Sequence, residues 1–72
     1  MLLAGCEEKT EYKIKRLYFK GNTALRAAEL GFKRGEKITV IKKFGSGGGV
    51  LLLNYSFLAA GKEIFYSVEV EN

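Results

Sequence analysis

The chain carries few side chains that could do chemistry. It has no histidine and no aspartate, its only thiol is Cys6, and all eight acidic residues are glutamates. Acid–base and nucleophilic catalysis need a base held beside an acid or a nucleophile, and the spacing of these residues supplies no such pair. We therefore predict that the protein is not an enzyme and uses no cofactor.

Metal binding would have to rely on glutamate oxygens. The densest group, Glu7, Glu8 and Glu11, lies in a charged stretch with Lys9, which is typical of a solvated surface. A lone cysteine and the absence of histidine also exclude a disulfide within the chain and an ordinary zinc site. The sequence thus predicts no metal site, and it favours an inert role for Cys6.

The glycine-rich stretch Gly45–Gly49 suggests a phosphate-binding loop at first sight. Such a loop continues into Gly-Lys-Ser/Thr and a helix, whereas Val50–Leu53 is apolar and typical of a strand. We interpret the glycines as the mobile tip of a hairpin.

One short helix is predicted from Thr23 to Leu30, ending at Gly31, which can adopt the left-handed conformation that closes a helix. Asn22 or Thr23 could cap its first turn. The expected buried face consists of Leu25, Ala28 and Phe32, with Ala24 and Ala27 beside them. Gly35 allows a second reversal before a strand over residues 37–41.

The remaining segments predict strands. Residues 12–19 alternate polar and apolar side chains, with a β-bulge needed near Lys15–Arg16 to keep Ile14 and Leu17 on one face. Asn54 marks a hairpin, residues 61–65 form a short helical turn, and residues 67–70 close the sheet. The fold class is therefore mostly β: a small SH3-like barrel of about five antiparallel strands, with one short helix inserted between the first two strands. Residues 1–72 form one domain, with a leading segment of residues 1–11 whose Leu2 and Leu3 are placed to pack on the barrel.

Two segments resemble the FeoA family of bacterial ferrous iron uptake. Residues 26–32 (Arg-Ala-Ala-Glu-Leu-Gly-Phe), followed by Gly35 and a strand with Val40, are similar to the family's Arg-Leu-x-Glu-Leu-Gly-Leu/Phe. Residues 58–64 (Leu-Ala-Ala-Gly-Lys-Glu-Ile), closing on Val-Glu-Val at 68–70, are similar to its Ile-Ala-Leu-Gly-Lys-Glu-Ile-Ala and Ile-x-Val ending. The resemblance implies a cytoplasmic, non-catalytic accessory protein that modulates the membrane GTPase-permease FeoB by protein contact, and it does not imply that this chain binds iron.

The chain departs from that pattern at Arg34, where proline is usual, and at Phe65, where alanine is usual. Phe65 and Tyr66 could thereby form an exposed aromatic patch. The helix laid across a barrel and the family likeness lead us to expect a partner-binding groove between the helix and the open end of the barrel. Interfaces favour arginine and aromatic residues. The candidate contacts are Arg26, Phe32, Arg34, Phe65 and Tyr66, and core packing is the alternative role of Phe32.

Two further hypotheses remain open. The net charge of +4 and the cluster of basic and aromatic residues over 13–20 are compatible with binding of RNA or single-stranded DNA. Self-association is the other hypothesis, through edge pairing of the apolar strand Val50–Leu53. The lone thiol and the lack of a long apolar segment favour a soluble, cytoplasmic protein.

Overall fold

The computed structural model describes residues 1–72. The fold is organised around one antiparallel sheet of five strands. Its strands are β1 (Glu11–Leu17), β2 (Lys37–Lys43), β3 (Gly49–Leu53), β4 (Ser56–Ala60) and β5 (Val68–Glu71). Two α-helices, α1 (Gly21–Leu30) and α2 (Lys62–Phe65), and a 3-10 helix over Leu3–Gly5 complete the chain. The predicted class is confirmed, since the fold is mostly β and one helix separates the first two strands.

The strands lie in the order β4-β3-β2-β1-β5. Inward side chains alternate along β1 to β3 and β5, so one face of the sheet carries the core. The predicted bulge is confirmed, because the register of β1 against β5 shifts between Ile14 and Arg16. A second shift, between Val40 and Lys42, interrupts the pairing of β2 with β3. Such bulges bend a strand and increase its twist.

Helix α1 differs from its prediction at its start and in its buried face. It begins at Gly21, two residues early, so Asn22 and Thr23 lie inside the first turn and no side chain caps it. Ala27 is the buried residue, while Leu25 is 68% exposed and Ala28 is also exposed. The predicted helix face is therefore wrong for these two residues, since the helix turns Ala27 toward the core and leaves Leu25 and Ala28 in solvent.

The turn after α1 is fixed to β1. Gly31 closes the helix with φ of 105°, as predicted, and Gly35 reverses the chain with φ of 89°. The Gly35 N–H donates to the Ile14 carbonyl at 2.8 Å, and the Ile14 N–H donates to the Glu36 carbonyl at 2.8 Å. Phe32, between the two glycines, is therefore delivered into the core, where its ring meets Phe19 edge to face at 5.9 Å.

The two hairpins use their turn residues differently. Asn54 and Tyr55 both have positive φ, which is the backbone of a type I′ turn and confirms the predicted hairpin. In the glycine-rich hairpin, Gly48 and Gly49 are buried. A Cβ on Gly49 would lie 3.0 Å from the Phe65 ring and closer still to a carbonyl of β2. The packing of these two glycines contradicts a simple mobile tip.

The leading segment belongs to the core. Leu3 and Cys6 are fully buried, as expected for Leu3, and Leu2 forms a bridge with Glu69 of β5. Glu8 is also held, since its carboxylate accepts the Lys43 N–H at 2.6 Å. No helix in the structure has the length and apolar character needed to span a bilayer.

Candidate functional site

A groove of about 310 Å³ separates α1 from α2. Helix α1 supplies one wall through the face that carries Arg26, Ala27 and Leu30, and Gly61 and Ile64 line the opposite side. Ala27 turns a small side chain toward the core on the α1 side, and Gly61 directly precedes α2 on the other. The groove therefore combines a few apolar side chains with one cation, Arg26, and one carboxylate, Glu63.

Polar side chains also line the groove. Thr23 donates a hydrogen bond from Oγ1 to Glu63 Oε1 at 3.4 Å, and both residues are on the exposed rim. Arg26 has no salt-bridge partner in the structure and is exposed. An exposed arginine that lines a groove without a salt bridge of its own suits recognition of a partner that carries a carboxylate, although Glu63 lines the same groove.

The five predicted contact residues do not form one surface. Arg26 lines the groove, Tyr66 is 52% exposed at the end of α2, and Arg34 is exposed in the turn after α1. Phe32 and Phe65 are each only 1% exposed. Their rings pack inside the fold, so the expected exposed aromatic patch is wrong for Phe65, and core packing is the role of Phe32.

Phe65 is buried because of the glycine hairpin. Its ring reaches the position where a Gly49 side chain would begin, and α2 turns it inward one residue before Tyr66. Lys62, on the preceding turn, lies with Nζ 6.0 Å from the centre of the Tyr66 ring. Tyr66 therefore remains as the exposed aromatic residue beside the groove, next to a cation.

Two apolar residues of the groove were missed by the sequence interpretation. Leu30 is 42% exposed and Ile64 is half-buried. Both residues lie in the segments that resemble the FeoA family, residues 26–32 and 58–64. From the apolar pattern of those segments alone, they would be taken as core residues. Only the meeting of α1 with α2 shows that they share a surface.

A second hollow, of about 480 Å³, lies beside the Asn54–Tyr55 turn. Glu11 and Glu36 contribute carboxylates to it, together with Lys37. No group of three or more histidine, cysteine, aspartate or glutamate side chains comes close enough to hold a metal ion. Most of the residues that line this hollow carry polar side chains.

The basic cluster of the nucleic-acid hypothesis faces an acidic residue. Tyr18 donates a 2.6 Å hydrogen bond to Glu69 Oε1, and Lys15 Nζ lies 3.9 Å from Glu69 Oε2. The Tyr18 hydrogen bond, followed by the charge of Lys15, lowers the pKa of Glu69 despite some opposing desolvation. Glu69 therefore places a negative charge inside the basic cluster.

Cys6 is the remaining group with potential chemistry. Its side chain is fully buried and its thiol donates to the Leu2 carbonyl at 3.5 Å. Burial raises the pKa of this thiol, and nearby positive charges, Lys43 first, only partly oppose that effect. The thiol is thus kept protonated and out of solvent.

Comparison with known proteins gives one family and several close folds. The FeoA domain is matched over residues 1–72. The iron(II) transport protein A of Clostridium thermocellum superimposes with a TM-score of 0.89 at 25% identity, over 99% of this chain and 44% of that one. The chain thus spans less than half the length of that protein. No curated protein sequence matches it.

Two other structures share the fold. FeoA of Chlorobium tepidum has a TM-score of 0.86 at 18% identity, covering 99% of this chain and 69% of that one. FeoA of Stenotrophomonas maltophilia, complexed with zinc and described as an SH3 domain protein, has a TM-score of 0.80 at 22% identity, covering 99% and 89%. Since the family match extends over all 72 residues and agrees with the fold, this chain belongs to the FeoA domain family.

Proposed function

We propose that this chain is a non-catalytic accessory domain of ferrous iron uptake, which modulates a FeoB-type GTPase-permease by binding to its cytosolic side. The observation that carries the proposal is the FeoA domain match over the entire chain. The named relatives support the same process: one is an iron(II) transport protein A, and another is described as possibly acting as a ferrous iron transport activating factor.

The groove between α1 and α2 is the proposed contact surface. Leu30 and Ile64 offer apolar area, and Arg26 supplies an unpaired cation at its edge. This combination fits a partner segment that inserts an apolar side chain and presents a carboxylate to Arg26. Tyr66 and Arg34 are exposed but do not line this groove, and Phe32 and Phe65 lie in the core.

An NMR titration tests this proposal. The ¹⁵N-labelled chain is titrated with the cytosolic GTPase domain of the FeoB-type transporter from the same organism, in its GDP-bound state and with a non-hydrolysable GTP analogue. We expect shifts confined to α1, α2 and the turn between α1 and β2. Replacement of the central cation, Arg26→Glu, should weaken binding at least about tenfold, as expected for a charged contact at an interface.

The matched control is Arg16→Glu, which makes the same charge change on β1. It should leave FeoB binding within about twofold of the wild type, since rim charges far from a contact contribute little. Equal losses in both variants would contradict the groove as the contact surface. Salt-sensitive binding of single-stranded DNA or RNA, lost in Arg16→Glu, would instead support the nucleic-acid hypothesis.

A further inference from the structure

The two edge strands of the sheet differ in how well they are covered. Strand β5, at one edge, carries two glutamates and is covered by the start of the chain: the Met1 amino group donates to the Val70 carbonyl at 3.0 Å, and the Val70 N–H donates to the Met1 carbonyl at 2.7 Å. Strand β4, at the other edge, pairs only with β3. Its five residues include no charge, no proline and no bulge. These are the devices that normally prevent edge pairing, so β4 is the unprotected edge.

The outer face of β4 is also apolar. Phe57 is 70% exposed and Ala59 is exposed beside it. Their partners on β3, Leu52 and Val50, are only partly buried on the same face. Helix α1 approaches the segments beyond both ends of the strand, through Gly31 near Asn54 and Thr23 near Glu63, and makes no hydrogen bond to β4. The open edge therefore borders a continuous apolar strip.

We propose that β4 is a self-association site, at which two copies of this chain pair their β4 strands antiparallel about Leu58. In this register Phe57 of one copy lies opposite Ala59 of the other, and the reverse pair follows by two-fold symmetry. A large side chain meets a small one on the same outer face, so the strand is complementary to itself.

Backbone geometry is compatible with this register and excludes a slip by one residue, and the match of Phe57 with Ala59 distinguishes it from slips by two. Antiparallel ladders alternate between pairs that exchange hydrogen bonds and pairs that do not, and the residues flanking a two-residue hairpin loop, here Leu53 and Ser56, are of the first kind. The N–H and C=O groups of Phe57 and Ala59 are consequently directed away from β3. Pairing about Leu58 brings these groups opposite one another in both copies, whereas a slip by one residue leaves them unpaired.

The available area sets the strength of the dimer. An aromatic side chain buries roughly 150–250 Å², so the two Phe57 rings supply only part of the roughly 1,200–2,000 Å² of a stable interface. The net charge of +4 on each copy opposes association at low salt. We expect a reversible dimer with a dissociation constant on the order of 0.1–1 mM, strengthened by salt.

Sedimentation velocity across a dilution series up to about 2 mM tests the proposal, with the variant Ala59→Pro. Proline removes the outward N–H of Ala59 without removing a bond to β3, and edge strands tolerate it. The wild type should dimerise with increasing concentration, and Ala59→Pro should associate at least about tenfold more weakly. Ala59→Lys, which places a charge on the edge, should have the same effect if proline perturbs the fold.

The matched control is Leu25→Lys, which adds the same charge at an exposed apolar residue of α1 and should leave dimerisation unchanged. In a mixed-label sample, an intermolecular NOE between the Phe57 ring and the Ala59 methyl group would confirm the register. A wild type that stays monomeric throughout, or an Ala59→Lys variant that dimerises like the wild type, would overturn the proposal. The proposal would also be overturned if the β4 amide signals did not shift with protein concentration and shifted only when a FeoB-type cytosolic domain was added. That result would assign the edge to that partner.

Discussion

At the scale of single residues, the Glu69 carboxylate on β5 contacts Lys15 of β1 and Tyr18, which directly follows β1. Its carboxylate accepts the Tyr18 hydroxyl at 2.6 Å and lies 3.9 Å from Lys15 Nζ, while its side chain keeps 24% of its exposure. These contacts stabilise the ionised form, so the folded pKa lies below the ordinary value of 4.5. Its contribution to stability is therefore present above that ordinary value and is lost as the pH falls through the folded pKa.

Tyr18→Phe should raise the pKa of Glu69 toward its ordinary value, because it removes the largest cause of the lowering. The measurement is a ¹³C NMR titration of the Glu69 side-chain carboxyl in the wild type and the variant. Lys15→Met provides the comparison and should raise the pKa less, since Lys15 is the weaker favourable influence. An unchanged Glu69 titration in Tyr18→Phe would show that the hydrogen bond does not form in solution.

At the scale of elements, the glycine-rich hairpin between β2 and β3 acts through close packing. A Cβ on Gly48 would meet the Ala60 carbonyl, and one on Gly49 would meet the Lys42 carbonyl and the Phe65 ring. The hairpin thereby lets β4 and α2 approach β3 and shelters Phe65. Glycine at these two positions is required by contact with neighbouring backbone, a constraint that a run of glycines does not reveal.

Gly49→Ala should lower the free energy of unfolding by at least about 3 kcal/mol, because the added methyl group overlaps backbone that cannot move aside cheaply. Urea denaturation followed by circular dichroism measures this loss. Gly45→Ala in the same hairpin is the control: nothing lies within 4 Å of its added Cβ, so the change should stay within about 1 kcal/mol. Similar stabilities for the two variants would contradict the packing role.

The buried face of helix α1 is determined by its contacts with the rest of the fold. It exposes Leu25 and buries Ala27, although leucine gains more from burial than alanine. The small side chain lets the helix approach the sheet, and the turn bonded to β1 sets its orientation. An interpretation based on apolar spacing centred the buried face on Leu25 and Ala28, with Ala27 only beside it, and was therefore wrong for Leu25 and Ala28.

At the scale of the whole molecule, the leading segment and the last strand close the fold. Leu3 and Cys6 are fully buried, and the residues at the start of the chain pair with β5. A chain of 72 residues with one free cysteine has no disulfide to strengthen a small core, so each buried side chain matters. The fold therefore depends on a segment that looks peripheral in sequence.

Leu3→Ala should destabilise the protein by about 2–5 kcal/mol, the usual cost of a cavity at a fully buried leucine. Thermal denaturation and hydrogen exchange of the β5 amides would show the loss. Met1→Ala, at a residue that is 55% exposed, should change stability by less than about 0.5 kcal/mol. A Leu3→Ala variant as stable as the wild type would mean that the leading segment is not docked in solution.

The amino-acid sequence by itself determined the local features of this protein. Alternation and turn residues are short-range signals, so the sequence predicted the mostly β class, the inserted helix ending at Gly31, the bulge after Ile14 and the hairpin at Asn54. Only the tertiary structure decided which residues share a surface. Burial of Phe65, the groove between α1 and α2, and the difference between a covered β5 and an open β4 all depend on contacts between distant segments, which periodicity does not encode. Val50–Leu53, suggested by the sequence for edge pairing, is paired on both sides in the sheet, because β4 lies beyond it.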